Sequence, residues 1–405
     1  MMVIERSDLV KRIKDTKKWV LVFGRRKTGK SFLVENFVDF DEYFFVKSAG
    51  GVVSKKDDKN IGYEAFIEII KRALTENKTV VVDEFHRLGT DFFDFLHYTK
   101  KQGKIILISS TLFLSKKLIS SKSPILGFFS ELPVGLINID SCLRSLKKFG
   151  LDKKDLLELA IFFREPITID FFDESKTTES VLAEILIGSI KTIPALIGEI
   201  FLEEERHISA IYEGILRSVA SGSVVSGEIS NWLFSRKLIQ KDDPSIIQQH
   251  LNNLVSLGIL KKTEVYNKKR FVYKHTSPLT KLFYYADEKY NITDRKVERQ
   301  EAYRIIQAVM PHLVEDSIRE FLAEKLGLKE TVFQAADFDI DGCLLKFKKP
   351  EILLEVKWKN NMSAQDIKKA EDSLGKINGK RRVLFVQDKK GLSSDKIEII
   401  DVSDL

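Results

Sequence analysis

The sequence predicts an α/β protein: a parallel sheet with helices on both faces comes first, and a second, smaller α/β unit comes last. Three observations carry this. Residues 18–23, 79–82 and 104–109 are continuous apolar runs, which suits strands buried on both faces. Segments with helical spacing lie between them, as crossover connections require. After a long helical stretch, strand and helix signals resume near residue 300.

The elements follow in order. Residues 18–23 read as a buried strand and 30–38 as a helix with Phe32, Leu33, Phe37 and Val38 on one face. Residues 43–46 are a short strand. Residues 62–74 are a helix with Phe66, Ile69, Ile70 and Ala73 on one side. Residues 79–82 are a β-branched strand, 92–101 a helix and 104–109 a strand. Residues 141–205 are mostly helical, with strand rhythm only at FFREPITIDFF. Helices at 207–220, 226–236 and 245–257 then precede a hairpin, 259–266 with 269–274, an order that predicts a winged helix. The polar stretch 291–299 reads as a linker. A long helix from 300 to 326 follows, with strands near 331–334, 343–348, 352–358 and 382–386 and a helix at 364–374. The units predicted are therefore 1–140, 141–205, 206–290 and 291–405.

The totals agree. A chain of 405 residues exceeds one core, since domains usually hold about 100–200 residues. A hydrophobic share of 43% with 31% charged residues excludes a largely disordered chain. The net charge of +7 permits contact with phosphates or nucleic acid without demanding it. The two cysteines, Cys142 and Cys343, offer neither metal-ligand spacing nor a disulfide framework. The N-terminus lacks an apolar signal core, and no apolar run is long enough to span a membrane. A cytoplasmic setting with no membrane partner is expected.

Gly24, Arg25, Arg26, Lys27, Thr28, Gly29, Lys30 and Ser31 match G-x-x-x-x-G-K-[ST] in full, with a strand before and a helix after. The glycines let successive N–H groups point at phosphate oxygens, and the helix presents its positive end to the same charge. Lys30 reaches the β- and γ-phosphates, and Ser31 is a Mg²⁺ ligand. The strand VVVDE ends in two acids: Asp83 as a second metal group and Glu84 as the base on the attacking water. Ser109, Ser110 and Thr111 end a third strand and are candidates for sensing the γ-phosphate. No guanine-reading Asn/Thr-Lys-x-Asp segment follows, so ATP is the expected nucleotide, with Mg²⁺. Arg25, Arg26 and Arg87 are candidate arginine donors.

In the last unit, Asp339 precedes a strand pair leading to Glu355-Val-Lys357. Alternation puts Glu355 and Lys357 on one face. Asp339 and Glu355 are candidate metal ligands, Lys357 the group that activates water, and Glu315 a candidate third ligand; that set suits metal-dependent phosphodiester cleavage. On residues 243–257, Gln248, Gln249, His250, Asn252 and Asn253 are candidates for reading base edges, or equally a solvated face.

FGRRKTGKS, VVVDEFHRL, Ile4-Glu5-Arg6, residues 108–127 and FFREP at 162–166 together resemble the archaeal P-loop ATPases of the STAND class, over most of residues 1–290. The resemblance implies a nucleotide-driven switch or scaffold. Two departures stand out. Phe128-Phe129 replace an arginine that the family usually carries after the glycine at 127. Arg164-Glu165 replace the two lid glycines, with Pro166 retained. Residues 297–405, including Lys359 and Gln365, resemble the restriction-endonuclease-like PD-(D/E)XK domains fused to such ATPases. That resemblance implies a nuclease or a degenerate fold that keeps the architecture. The expected partners beyond ATP are DNA or another nucleic acid, and proteins. The competing expectation is a non-catalytic, ATP-binding regulatory adaptor.

Overall fold

The computed structural model describes residues 2–100, 102–112, 127–204, 206–335 and 337–405. Helix α1 (Ser7–Asp15) leads into strand β1 (Trp19–Phe23), then α2 (Lys30–Phe37) and β2 (Glu42–Val46). A hairpin, β3 (Val52–Ser54) and β4 (Lys59–Ile61), precedes α3 (Tyr63–Thr75), β5 (Thr79–Asp83), α4 (Thr90–Tyr98), β6 (Lys104–Ser109) and β7 (Phe129–Pro133). These strands form one sheet in the order β4-β3-β2-β5-β6-β1-β7. From β2 to β7 neighbouring strands are parallel; the β3–β4 hairpin closes one edge antiparallel.

The apolar runs are continuous because alternate residues feed two cores. Trp19, Leu21, Val80, Val82, Ile105 and Leu107 pack on one face. Val20, Val22, Val81, Ile106 and Ile108 pack on the other. The β3–β4 hairpin has no such signal in the sequence, since its strands are three residues each. Strand β6 lies between β1 and β5, so three strand ends stand side by side at the carboxyl edge of the sheet. That edge is where open parallel sheets hold ligands.

Helices α5 (Ile139–Lys147), α6 (Lys153–Phe163), α7 (Pro166–Ile169), α8 (Thr178–Ser189) and α9 (Thr192–Glu203) follow. FFREPITIDFF is helical rather than extended: it ends α6 and forms α7, where Pro166 occupies a first-turn position that needs no N–H donor. Next come α10 (Ala210–Ala220), α11 (Ser226–Ser235), α12 (Pro244–Ser256) and the hairpin β8 (Leu260–Val265)–β9 (Phe271–His275), then α13 (Pro278–Tyr290). The stretch at 291–299 is not a free linker, because Ile292 and Val297 are buried in the main core.

Helix α14 (Arg299–Lys325) opens the last part, with β10 (Thr331–Gln334), β11 (Asp339–Ile340), β12 (Gly342–Lys346), β13 (Lys349–Lys357), α15 (Ala364–Gly375), β14 (Arg381–Val386) and β15 (Glu398–Ile400). Two sheets result. One runs β12-β13-β14-β15; the other runs β11-β10-β8-β9. In the second sheet β10 pairs in parallel with β8, Thr331 opposite Glu264, so the hairpin after α12 is extended by the last unit. Ion pairs reinforce the seam: Asp316 of α14 accepts from Lys274 at 2.5 Å and Lys281 at 3.0 Å. Glu158 of α6, fully buried, accepts from Trp358 Nε1 at 3.0 Å and Gln307 Nε2 at 2.8 Å. One core therefore runs from α5 through the last sheet. Among the described residues no single helix is long and apolar enough to cross a membrane; α8 and α9 pass that test only together, as a pair bent by 50°.

Candidate functional site

The loop after β1 is shaped by its neighbours. A Cβ on Gly24 would stand 2.1 Å from the Val134 carbonyl oxygen, so no other residue fits there. Gly29 has φ of 81°, a left-handed conformation that glycine adopts without strain. Thr28 Oγ1 and Lys30 Nζ both donate to the Arg25 carbonyl at 2.9 Å, folding the loop over the start of α2. From outside, Arg6 donates to the carbonyls of Thr28, Gly135 and Leu136, each at 3.1 Å. Burial pushes the Lys30 ammonium down to about 8, against the opposing pull of Glu84 and Asp83.

The two acids at the end of β5 differ. Asp83 is buried and both its oxygens are engaged, one by Tyr43 Oη at 2.8 Å and one by the Glu84 amide at 2.9 Å. Glu84 has φ of 57°, uncommon for a residue with a side chain and typical of functional positions. Its carboxylate accepts from Ser110 Oγ at 2.9 Å and lies 3.4 Å from Arg87 Nη2. Burial raises its pKa, partly offset by the Ser110 hydrogen bond. The strand ends of β5 and β6 are thus joined directly.

These groups face a cavity of about 590 Å³. It is lined by residues 26–31, Glu84, Arg87 and Ser110, and by apolar side chains that include Ile4, Ile137, Ile167 and Ile169. That size and mixed lining suit a nucleotide with its phosphates at the loop. Ser31 lines the cavity, so it fits a Mg²⁺ ligand; Asp83 does not line it and fits only at one remove.

Gly24 and Arg25 stand behind the cavity rather than on it. Arg25 is turned into the lid, where Glu165 accepts from it through both oxygens at 2.9 and 3.1 Å. Arg26 is held by Glu199 at 2.8 Å and by Glu203 at the end of α9. Arg87 lies 3.8 Å from the same Glu203. The two candidate loop arginines are in ion pairs with carboxylates at the start of α7 and on α9. Pro166 stands over the loop, 3.5 Å from where a Gly29 Cβ would lie. Of residues 108–127, those at 113–126 lie outside the described residues.

In the last unit, Glu355 and Lys357 share a face and bond at 2.6 Å. The β12–β13 register, with Gly342 opposite Leu354, brings Asp341 beside Glu355. Asp341 Oδ2 accepts from the Val356 amide at 2.8 Å. Burial pushes Asp341 up to about 8, and the charges of Glu315 and Glu355 add to the rise. Asp339 is exposed and pairs with Gln334 in the other sheet, although its charge still raises Glu355 after burial. The sequence reading takes Asp339 as the ligand; the structure sets Asp341 beside Glu355 and puts Asp339 on the neighbouring sheet, with both lining one cleft. Among the described residues no three His, Cys, Asp or Glu side chains are grouped to hold a metal ion. Lys359 pairs with Asp366 at 2.6 Å, and Gln365 is exposed on α15. Asp339, Asp341 and Glu315 line a second cleft of about 590 Å³, together with Lys274, Lys281 and Lys289.

On α12, Gln248 bonds to Asn252 and Tyr273 at 3.3 and 3.4 Å. Gln249 bonds to Asn253 at 2.9 Å, and Asn253 to Tyr212 at 2.6 Å. Most of the candidate base-reading groups are satisfied within the protein.

Residues 16–125 match the family model of the AAA domain. The match takes in the loop, Asp83, Glu84 and the end of β6. No curated protein matches the chain. Among solved structures, the chain is similar to the ORC2 protein of Aeropyrum pernix in ADPNP–ADP complexes, at 10% identity and a TM-score of 0.38, covering 75% of this chain and 93% of that one. It is also similar to A. pernix ORC1 in complex with DNA, at 12% identity, TM-score 0.31, covering 72% and 95%. A STAND protein with a tetratricopeptide repeat sensor from Pyrococcus horikoshii matches at 14% identity and TM-score 0.31, covering 80% of this chain and 52% of that one.

Proposed function

We propose that the chain is a Mg²⁺-dependent ATPase, cytoplasmic, whose bound nucleotide sets the arrangement of a helical lid, a winged helix and a PD-(D/E)XK-like unit. Lys30 holds the β- and γ-phosphates, Ser31 takes the metal with Asp83 behind it, and Glu84 orients the attacking water. Mg²⁺, when bound, neutralises phosphate charge. The carboxylate of Glu84, raised by burial, is suited to act as base, and Ser110 holds it in place.

The observation that carries the switch reading is the pair of adjacent lid residues that face opposite ways. Glu165 grips Arg25 of the loop at 2.9 Å, and Arg164 grips Glu320 of α14 at 2.7 Å. Helix α14 also holds Arg319, which donates to the Asp341 carbonyl at 2.9 Å. A change at the loop is thereby in contact, through one buried and one half-buried ion pair, with the frame of the second cleft. Contiguity of this kind supports coupling. The test is hydrogen exchange of α14 with and without ATP. Protection that changes in the wild type and not in Lys30→Ala supports the reading; an α14 indifferent to ATP rejects it.

For the last unit the substrate class is nucleic acid, with cleavage at Asp341, Glu355 and Lys357. The adaptor reading is favoured by one observation: Lys357 is tied to Glu355 while Asp339 faces solvent. Incubation with plasmid, single-stranded DNA and structured RNA plus Mg²⁺ or Mn²⁺ separates the two. Cleavage lost in Lys357→Ala supports the nuclease, and its absence throughout supports the adaptor.

A further inference from the structure

The hairpin between β12 and β13 closes in two residues, Phe347 and Lys348, with Lys346 paired to Lys349. Both central residues have positive φ, 48° and 66°. Such a turn favours Asn-Gly, because Asn and Gly adopt it at little cost. A bulky aromatic there is an outlier, and strained backbone of this kind clusters at functional positions.

What the strain presents is a Phe347 ring that is 91% exposed, the highest of any large hydrophobic residue among those described. Lys346, Lys348 and Lys349 surround it, all exposed. None of the three makes an ion pair among the described residues. Other lysines of the same unit do find acids: Lys380 pairs with Glu351 at 3.0 Å and Lys389 with Asp404 at 2.5 Å. The tip therefore carries three lysines without an ion-pair partner beside one exposed aromatic residue. The tip is also rigidly mounted, since Leu344, Leu353 and Leu354 on the flanking strands are fully buried.

We infer that this tip is a contact for single-stranded nucleic acid, with the Phe347 ring stacked on an unpaired base and the three lysines on the flanking phosphates. Every base offers a π-face, and stacking on an exposed aromatic needs no sequence match. One ring among lysines offers too little apolar area to anchor in a bilayer, where a whole amphipathic face is needed. The tip lies roughly 20 Å along β13 from Glu355, at about 3.3 Å per residue. The contact shares its partner class with the nuclease-like reading but requires neither ATP turnover nor cleavage.

The test exploits the turn itself. The double substitution F347N/K348G installs the sequence the turn prefers, so the protein should melt at the same or a higher temperature. Binding of a fluorescein-labelled single-stranded oligonucleotide, measured without metal or nucleotide, should weaken about ten-fold from lost stacking alone. The pair K346Q/K349Q, which keeps the ring, should lower the slope of log affinity against log salt by about 1.4, at about 0.7 per phosphate contact. A variant F347N/K348G that melts higher yet binds the oligonucleotide as the wild type does overturns the inference. So does a wild type that binds no oligonucleotide at low salt. Loss of binding to anionic phospholipid vesicles, with oligonucleotide binding unchanged, overturns it too.

Discussion

Arg25 and Glu165 meet inside the protein through two hydrogen bonds, at 2.9 and 3.1 Å, although 140 positions separate them in the chain. Both side chains are almost wholly buried. Arg25, one of three candidate arginine donors in the sequence, is thus fastened to the start of α7.

Glu165→Ala leaves the Arg25 guanidinium buried and unpaired, which should destabilise the fold by about 3–5 kcal/mol. Chemical denaturation of the full chain measures this. Replacing both residues by apolar ones of similar size should cost much less. A Glu165→Ala loss under about 1 kcal/mol, the range of exposed pairs, would mean the pair is not sealed from water.

The second half of the relay carries a pH signature. Burial alone would raise Glu320, but Arg164 and Lys261 outweigh it and bring it down to about 2. A carboxylate lowered in the folded state adds stability that is complete above its ordinary pKa near 4.5 and is lost as pH falls towards 2. The melting temperatures of wild type and Glu320→Gln should therefore differ at pH 6, draw together below about pH 4 and converge only as pH nears 2. Parallel curves across that range would remove Glu320 as a charged partner.

Glu84→Gln should keep ATP binding and slow turnover by at least about a hundred-fold, trapping unhydrolysed nucleotide. Ser110→Ala should give a smaller loss, because it frees the carboxylate without removing it. Normal phosphate release by Glu84→Gln would take Glu84 out of the reaction.

At the second cleft, Asp341→Asn should remove any metal-dependent cleavage, whereas Asp339→Asn should weaken it modestly. Side-by-side rates on the same substrate decide this. The reverse ranking would return the metal to Asp339 and place Asp341 in a structural role.

The strands around the P-loop were legible because β1, β5 and β6 each feed both cores and leave unbroken apolar runs. The loop was legible because its chemistry is local: two glycines, a lysine and a hydroxyl at fixed spacing. What escaped is non-local. The β3–β4 hairpin is too short to show alternation. The pairing of β10 with β8 joins segments far apart in sequence, each readable as a strand and neither announcing its partner. The roles of Arg25, Arg164 and Glu165 depend on which carboxylate or guanidinium the fold brings opposite them. That Asp341, and not Asp339, lies opposite Glu355 was not legible, because period-2 spacing cannot say where one sheet ends and the next begins.

The most direct test of the central claim is equilibrium binding of ATP with Mg²⁺ to the full chain, wild type against Lys30→Ala. The expected result is saturable binding by the wild type and an affinity at least about ten-fold weaker in the variant, as loss of one charge-assisted contact requires. Equal affinity in the two proteins, or no binding by the wild type, would contradict it.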